Sequence, residues 1–441
     1  MAIIPQKQLF SWREIENLGD LSRLRLVLDY LPDEPLMRAL ESQRAKGRDE
    51  YPVRAVWNSI LAGIVFQHNS VESLRRELKR NDRLRWLCGF DIAKGENAVP
   101  PSWVYTRFFS LLFKNAEYIE KIFDELVEQL RKELPGFGNN LAMDGKAINT
   151  HARPGKRLSD MSPDGRRDTD ADFGKKTYAG VRDDGTTWQK VVKWFGYKLH
   201  LIVDADYELP VAFEVTKASR SEIPEGRKLV KKLKERHEEL VKEDCNALMA
   251  DKGLDDTKLI EQLWDDCGIK PVIDIRNMWK DGEQTKLVDG QTNVVYDYQG
   301  NVYCYCPGTG ERRAMAFGGF EKDRSALKYR CPASHYGFEC KGCNRCPING
   351  AMRIKLSQDR RVFTPIARSS YQWERLYKKR TSVERVNSRL DVSFGFEHHF
   401  IRGQKKMKVR VALALMVMLA MALGRVKEKQ KDNLRSLVQA A

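Results

Sequence analysis

The sequence lacks an export signal: MAIIPQKQLFSWREIENLG has no basic stretch followed by an apolar core. It also lacks an apolar run long enough to cross a bilayer. The longest, Val411 to Leu423, is 13 residues, against the roughly 20 that a spanning helix needs. It reads as a buried helix, and no membrane partner is expected. Without a signal the chain is expected to be cytoplasmic and its nine cysteines reduced, so that clustered cysteines mean metal sooner than disulfides. Acidic residues are in deficit, 61 against 77 Lys+Arg, which leaves a formal charge of +16 and a pI near 9.3. A hydrophobic share of 42% excludes a disordered chain. The charge points to a polyanionic partner, although basic proteins also bind membranes or simply stay soluble.

The excess is uneven. Residues 1–139 hold 21 Lys+Arg and 20 Asp+Glu, whereas residues 371–410 hold 11 and 4. Residues 11–135 read as helices. YPVRAVWNSILAGIVFQ has helical apolar spacing, and Ser70 can cap the basic helix VESLRRELKRNDRLRWL, which carries Arg76 and Arg80. That helix is either a DNA-docking element or a solvated face. From Asn139 the texture changes. NLAMDGKAI reads as a strand, the polar stretch from Arg153 to about Lys190 as a long mobile or disordered loop, and FGYKLHLIVDADYELPVAFEVT as a hairpin. An amphipathic helix from Pro224 to Glu243, the strand NALMAD, a helix and the strand KPVIDIR follow. The order predicts an α/β fold, a mixed sheet with helices packed on it. Residues 277–363, rich in Gly, Tyr and Cys, read as a β insertion, and the chain is helical again from Tyr371 to a charged tail after Gly424. The expected domains are therefore 1–138, 139–276, 277–363, 364–424 and the tail 425–441.

With 61 acidic residues, placement has to select the reactive ones. Asp144 and Asp251 each end a predicted strand and are followed within two residues by glycine, where a ligand can approach the backbone. Asp204 has the rival reading of a turn residue, and Asp274, inside PVIDIR, that of an outward-facing side chain. Glu384 shares a helix face with Tyr377 and Arg380, at steps of four and three. On that evidence alone it reads as a helix-surface ion-pair partner. His200, inside a strand, reads as structural.

Taken together, AMDGK, GYKLHLIVDADYELPVAFEVT, MADKGLDD and the Tyr-x2-Arg-x3-Glu run of YKKRTSVER occur in an order that resembles the DDE transposases of bacterial insertion sequences. The likeness is greatest to the IS-four-like group. The stretch from Tyr51 to Phe109 is similar to the helical domain preceding the catalytic core in that family. The resemblance implies a ribonuclease H-like mixed sheet flanked by helices, with an N-terminal helical DNA-binding domain and an insertion between the second and third carboxylates. The 132 residues separating Asp251 from Glu384 leave room for one. It further implies Asp144, Asp251 and Glu384 as ligands of two Mg²⁺ or Mn²⁺ ions. The expected reaction is cleavage at transposon ends followed by strand transfer of the 3′-OH into target DNA, by cut-and-paste. Double-stranded DNA, as terminal inverted repeats and as target, is then the partner, bound by a homodimer in the nucleoid. Tyr377, Arg380, Arg385 and Arg389 become candidate DNA contacts, with Arg76 and Arg80 on the N-terminal helix. Two departures stand out: the family's basic residue seven places after the glutamate is Asp391 here, and its His-Asp pair after the hairpin is Ser221-Glu222.

Six cysteines fall between residues 304 and 346. Thiolates at short paired spacings suit tetrahedral Zn²⁺. Cys331, Cys340, Cys343 and Cys346 are the candidate structural site, with Cys304 and Cys306 as alternatives. Two other readings stay open: a ribonuclease H-like nuclease without strand transfer, and a non-catalytic zinc-containing DNA-binding protein.

Overall fold

The computed structural model describes residues 18–44, 50–154, 167–348 and 350–435. Its helices are α1 (Ser22–Tyr30), α2 (Glu34–Arg44), α3 (Val53–Val65), α4 (Val71–Arg80), α5 (Asp82–Cys88), α6 (Ser102–Lys114), α7 (Ala116–Glu133), α8 (Glu222–Arg236), α9 (Thr257–Glu261), α10 (Pro332–Tyr336), α11 (Tyr371–Lys378), α12 (Thr381–Phe394) and α13 (Gln404–Lys427). The strands of the large sheet are β1 (Asn140–Asn149), β2 (Asp172–Val181), β3 (Thr187–Asp204), β4 (Leu209–Lys217), β5 (Ala247–Ala250) and β6 (Lys270–Ile273). Two small sheets follow, of β7 (Lys286–Leu287), β8 (Val294–Tyr296), β9 (Val302–Tyr305) and β10 (Arg312–Ala314), and of β11 (Ala316–Glu321), β12 (Ala326–Arg330) and β13 (Ala351–Lys355). The described residues pack as two units: those within 18–135, 148–197 and 387–435, and those within 136–147 and 198–386.

The first unit is built around α13. This helix is apolar on every side, and such a helix is stable only when surrounded. By length and composition it could cross a membrane, yet 94% of its apolar window is buried, against α1, α3 and α7. The 13-residue apolar run is thus the middle of a 24-residue helix. Gly424 admits the closest neighbour, since a Cβ there would lie 2.8 Å from Tyr30 Cδ2. At the other end Gly403 N–H donates to Asp168 Oδ2 (3.1 Å) and Tyr197 Oη (2.8 Å), and the hydroxyls of Thr150 and Tyr197 donate to the same carboxylate, each at 2.5 Å. Ser70 caps α4 as expected, accepting from Ser73 N–H at 3.1 Å.

The loop expected from Arg153 to Lys190 is corrected in its second part. Residues 155–166 lie outside the described residues, but β2 and β3 pair in register from Asp172↔Gly196 to Val181↔Thr187 around a turn at Asp184-Gly185. Thr187–Lys193 are exposed, so no buried face imposes the apolar alternation by which strands are read from sequence.

The second unit holds the remaining part of the large sheet. Its strand order, β4-β3-β1-β5-β6, with β1, β5 and β6 parallel, is that of the ribonuclease H-like fold, with α8 packed on β4. The amphipathic helix begins two residues earlier than expected and ends at Arg236. The insertion has its own core, including Tyr296, Leu327, Tyr329 and Phe363, beneath the two small antiparallel sheets.

Because α13 is the centre of the first unit, Leu415→Ala is expected to destabilise it by about 2–5 kcal/mol, the range for truncating a buried leucine. Urea unfolding followed by far-UV circular dichroism checks this; an unchanged midpoint counts against α13 as the core.

Candidate active site

Parallel pairing sets Met143, Ala250 and Ile273 side by side. The next residue of each segment is an aspartate: Asp144, Asp251 and Asp274, all half-buried. Neighbouring strands lie about 4.8 Å apart, so three carboxylates emerge in a row at the carboxyl edge. Asp274, expected to face outward from within a strand, instead follows the last residue of β6. It lies in the field of the half-buried Arg368, a cation it shares with Asp255 and one that donates to Ile273 O at 3.2 Å. Burial pushes the Arg368 guanidinium down to about 10, while Asp255 and Asp274 act in the opposite direction.

Asp251 Oδ1 accepts from Gly253 N–H at 2.7 Å, and a Cβ on Gly253 would lie 2.8 Å from that oxygen. Only glycine leaves the carboxylate undisturbed. The following pair, Asp255-Asp256, is structural: Asp255 takes a bond from Arg361 at 2.9 Å, and Asp256 caps α9.

Glu222, the first residue of α8, completes the floor. A Cβ on Gly145 would lie 3.1 Å from its Oε1, and one on Gly253 3.4 Å from its Oε2. Its carboxylate therefore rests against the glycines that follow Asp144 and Asp251, with Lys198 Nζ at 3.3 Å. The sequence reading passed over it as part of a weakly matching loop. Its signal was an acid at a helix start immediately after the hairpin.

Glu384 is half-exposed on α12, and Arg380 Nη1 donates to its Oε1 at 2.7 Å. The surface ion pair expected from helical spacing is therefore present. Arg380 does more than pair, however. Burial opposes its charge, but Glu384, Tyr377 and Asp144 together hold its pKa above the ordinary value. Tyr377 is raised by burial first, then by Asp274 and Asp251. Arg380 and Tyr377 thus stand within electrostatic reach of the strand-end aspartates. Among the described residues no three Cys, His, Asp or Glu side chains already converge tightly enough to hold a metal.

A family model described as a transposase DDE domain matches residues 136–420. The chain belongs to the DDE transposases. A second model, described as a transposase domain (DUF772), matches residues 10–111. Among solved structures the transposase is similar to the piggyBac transposase synaptic complex with hairpin DNA, at 11% identity and a TM-score of 0.38, over 95% of this chain and 79% of that one. No curated protein matches.

The other expected residues of this transposase have identifiable neighbours. Arg385 donates to the buried Glu208 at 2.5 Å and to Thr381 at 2.8 Å, so it braces α12. Arg389 is half-exposed one turn further on. In the first unit Arg76 is exposed and donates to Glu72 O at 3.4 Å, and Arg80 pairs with Glu77 at 2.5 Å. His200 is structural as expected: it is buried, meets Thr216 Oγ1 at 3.0 Å, and is pushed down to about 4 chiefly by burial. The six clustered cysteines are not drawn into the candidate set of four. The close pair is Cys306 with Cys340, Sγ–Sγ 3.8 Å. Hydrogen bonds from Thr309 and from the backbone of Gly308 and Thr309 hold the Cys306 thiol down at about 6.

Asp204 is the turn residue of the hairpin, accepting from the N–H groups of Gly138, Asp206 and Tyr207. Burial outweighs those bonds and raises its carboxyl from 3.8 to about 6. A raised acid contributes stability that is fully present below its unfolded value and is lost as pH rises through the folded one. Asp204→Asn is therefore expected to flatten the stability profile between pH 4 and 6, removing a slope worth at most about 3 kcal/mol. Denaturant midpoints across that window check it; an unchanged slope assigns the titration elsewhere.

Proposed function

We propose that this transposase cleaves DNA at transposon ends and joins the freed 3′-OH to target DNA, using Asp144, Asp251 and Glu384. The observation that carries the reading is the register of β1 and β5, which sets two aspartates side by side with Arg380 linking Asp144 to Glu384. The donors are hard carboxylate oxygens, the kind that Mg²⁺ and Mn²⁺ prefer. Gly145 and Gly253 leave room for carboxylates to lie against the backbone beside Asp144 and Asp251, which adds hard oxygen donors to the same floor. Divalent ions held by these three residues would supply Lewis acidity at the attacking and leaving oxygens.

The chain's own groups do the remaining work. Arg380 presents a planar guanidinium whose donors match a phosphate as well as they match Glu384. In the complex it contacts a phosphate beside the cut and releases Glu384 towards the aspartates. Tyr377, stacked on Trp373 at 4.6 Å between ring centroids, is held beside it and offers a hydroxyl to the same backbone. Lys198 fixes Glu222, which keeps α8 against the two glycines and the aspartates level. Action as a homodimer across two ends belongs to the same proposal.

In an assay of Mg²⁺-dependent cleavage and joining of DNA flanking the gene, Glu384→Gln, Asp144→Asn and Asp251→Asn should each lower the rate at least about a hundredfold, as expected when a ligand that acts on developing charge is lost. Glu222→Gln should lower it less. Retained joining by Glu384→Gln removes that residue from the proposal, and cleavage without any joining favours the nuclease reading.

We further propose structural zinc at the cysteine loops. The donors fit, since Cys306 is stabilised as a thiolate and lies beside Cys340, with Cys343, Cys346, Cys331 and Cys304 as the pool for the rest. Purified protein is expected to carry about one zinc per chain by elemental analysis, lost in a Cys306→Ser, Cys340→Ser variant. A content near zero counts against it.

A further inference from the structure

A cavity of about 600 Å³ lies wholly within the first unit, where α3, α4, α6 and α13 meet the segment before α13. Its volume is in the range of small-molecule sites, about 300–1,000 Å³. The chemistry of its lining is uneven in an informative way. One wall is aromatic: Phe109 and Phe113 stack with centroids 6.0 Å apart, and Phe400 is 59% exposed. Another carries Arg402, Lys406 and Arg410. No Asp or Glu is among the residues lining it.

Arg410 is the unusual member. Burial pushes its guanidinium down to about 10, with no carboxylate opposing that effect. Its contacts are weak ones, a 3.4 Å bond to Phe394 O and a ring contact with Phe396 at 6.0 Å. Arg410 is half-buried, and a partly desolvated cation gains from an anion brought beside it. His68, also in the lining, has a buried Nε2 without a hydrogen-bond partner, its Nδ1 being engaged by Ser73 at 3.0 Å, and the charged groups acting on it are Glu77 and Arg80. The N-terminus of α4, with Ser70 as its cap, also opens here and adds positive potential. Cations, an idle imidazole nitrogen and a helix N-terminus call for an anion, while the aromatic wall calls for a flat ring.

We infer that this cavity binds a single 5′-phosphorylated nucleotide, its base against Phe109, Phe113 and Phe400 and its phosphate at Arg410, Lys406 and Arg402. Bases of any sequence stack on aromatic side chains, and Arg and Lys supply the charge-assisted bonds to phosphate. The nucleotide comes either free or as the end of a single strand. The site shares no residue with the carboxylates of the second unit, so it stands or falls apart from the proposed reaction.

The test uses the full-length protein without added Mg²⁺ or Mn²⁺, so that strand cleavage does not enter and any structural zinc is kept. Two fluorescent probes are titrated: 2-aminopurine deoxyriboside 5′-monophosphate, and a pentanucleotide with that nucleotide at its phosphorylated 5′ end. Binding with quenching is expected, weakened at least tenfold by Arg410→Met and by Lys406→Met. The second variant lies on the exposed part of α13 and decides the matter if the first does not fold. Phe109→Leu should reduce the quenching. A pentanucleotide bound at least tenfold more tightly assigns the site to a strand end; equal affinity assigns it to free nucleotide. The inference is overturned if neither probe binds, if Lys406→Met leaves the affinity unchanged, or if inorganic phosphate competes as well as the nucleotide.

Discussion

Asp144, Asp251 and Asp274 are held level by parallel pairing, and like charges at strand spacing repel. Much of the second unit answers that constraint. Arg368 acts on Asp255 and Asp274, Lys198 is tied to Glu222 beside the glycines that follow the other two, and Arg380 reaches from between α11 and α12 towards Asp144. Each cation is also anchored elsewhere, Arg368 on Ile273 O, Lys198 on Arg220 O and Arg380 on Glu384. The negative edge is thus balanced by groups placed by other elements.

The same constraint separates the roles of the acids. Asp274 shares the field of Arg368 with Asp255. Asp144 lies in the field of Arg380, whose other partner, Glu384, is half-exposed, so its balance can change when a phosphate arrives, and Asp251 accepts from Gly253 N–H. Asp204, at the opposite edge of β3, is held by backbone donors, and nothing cationic shares its turn closely enough to lower its carboxyl. Four similar residues therefore meet four different chemistries within one sheet.

Much of this was legible in the sequence. Strand-end position followed by glycine singled out Asp144 and Asp251, and helical spacing put Arg380 beside Glu384. The helix capped by Ser70, the Asp204 turn, the structural His200 and the β insertion were readable for the same reason, since short-range chemistry governs them. What escaped depends on pairing at a distance. Asp274 looked interior because nothing local marks where β6 stops; the register with Ala250 does. Glu222 looked like a mismatch because its role comes from glycines 77 and 31 residues away in the chain. The β2–β3 ladder was hidden by having two exposed faces. A linear partition into domains also kept apart segments that pack together, since residues near both ends of the chain share the first unit.

That last arrangement bears on how the molecule is made. The helix that fills the first unit, α13, emerges from the ribosome after almost everything it contacts. Until then the faces of α1, α3 and α7 that pack on it stay open, although these helices also meet other early elements. The second unit, whose strands and insertion lie between, can close first. The helical unit must wait, with greasy surfaces open to chaperones and to aggregation, and a chain interrupted before Gln404 would never complete it.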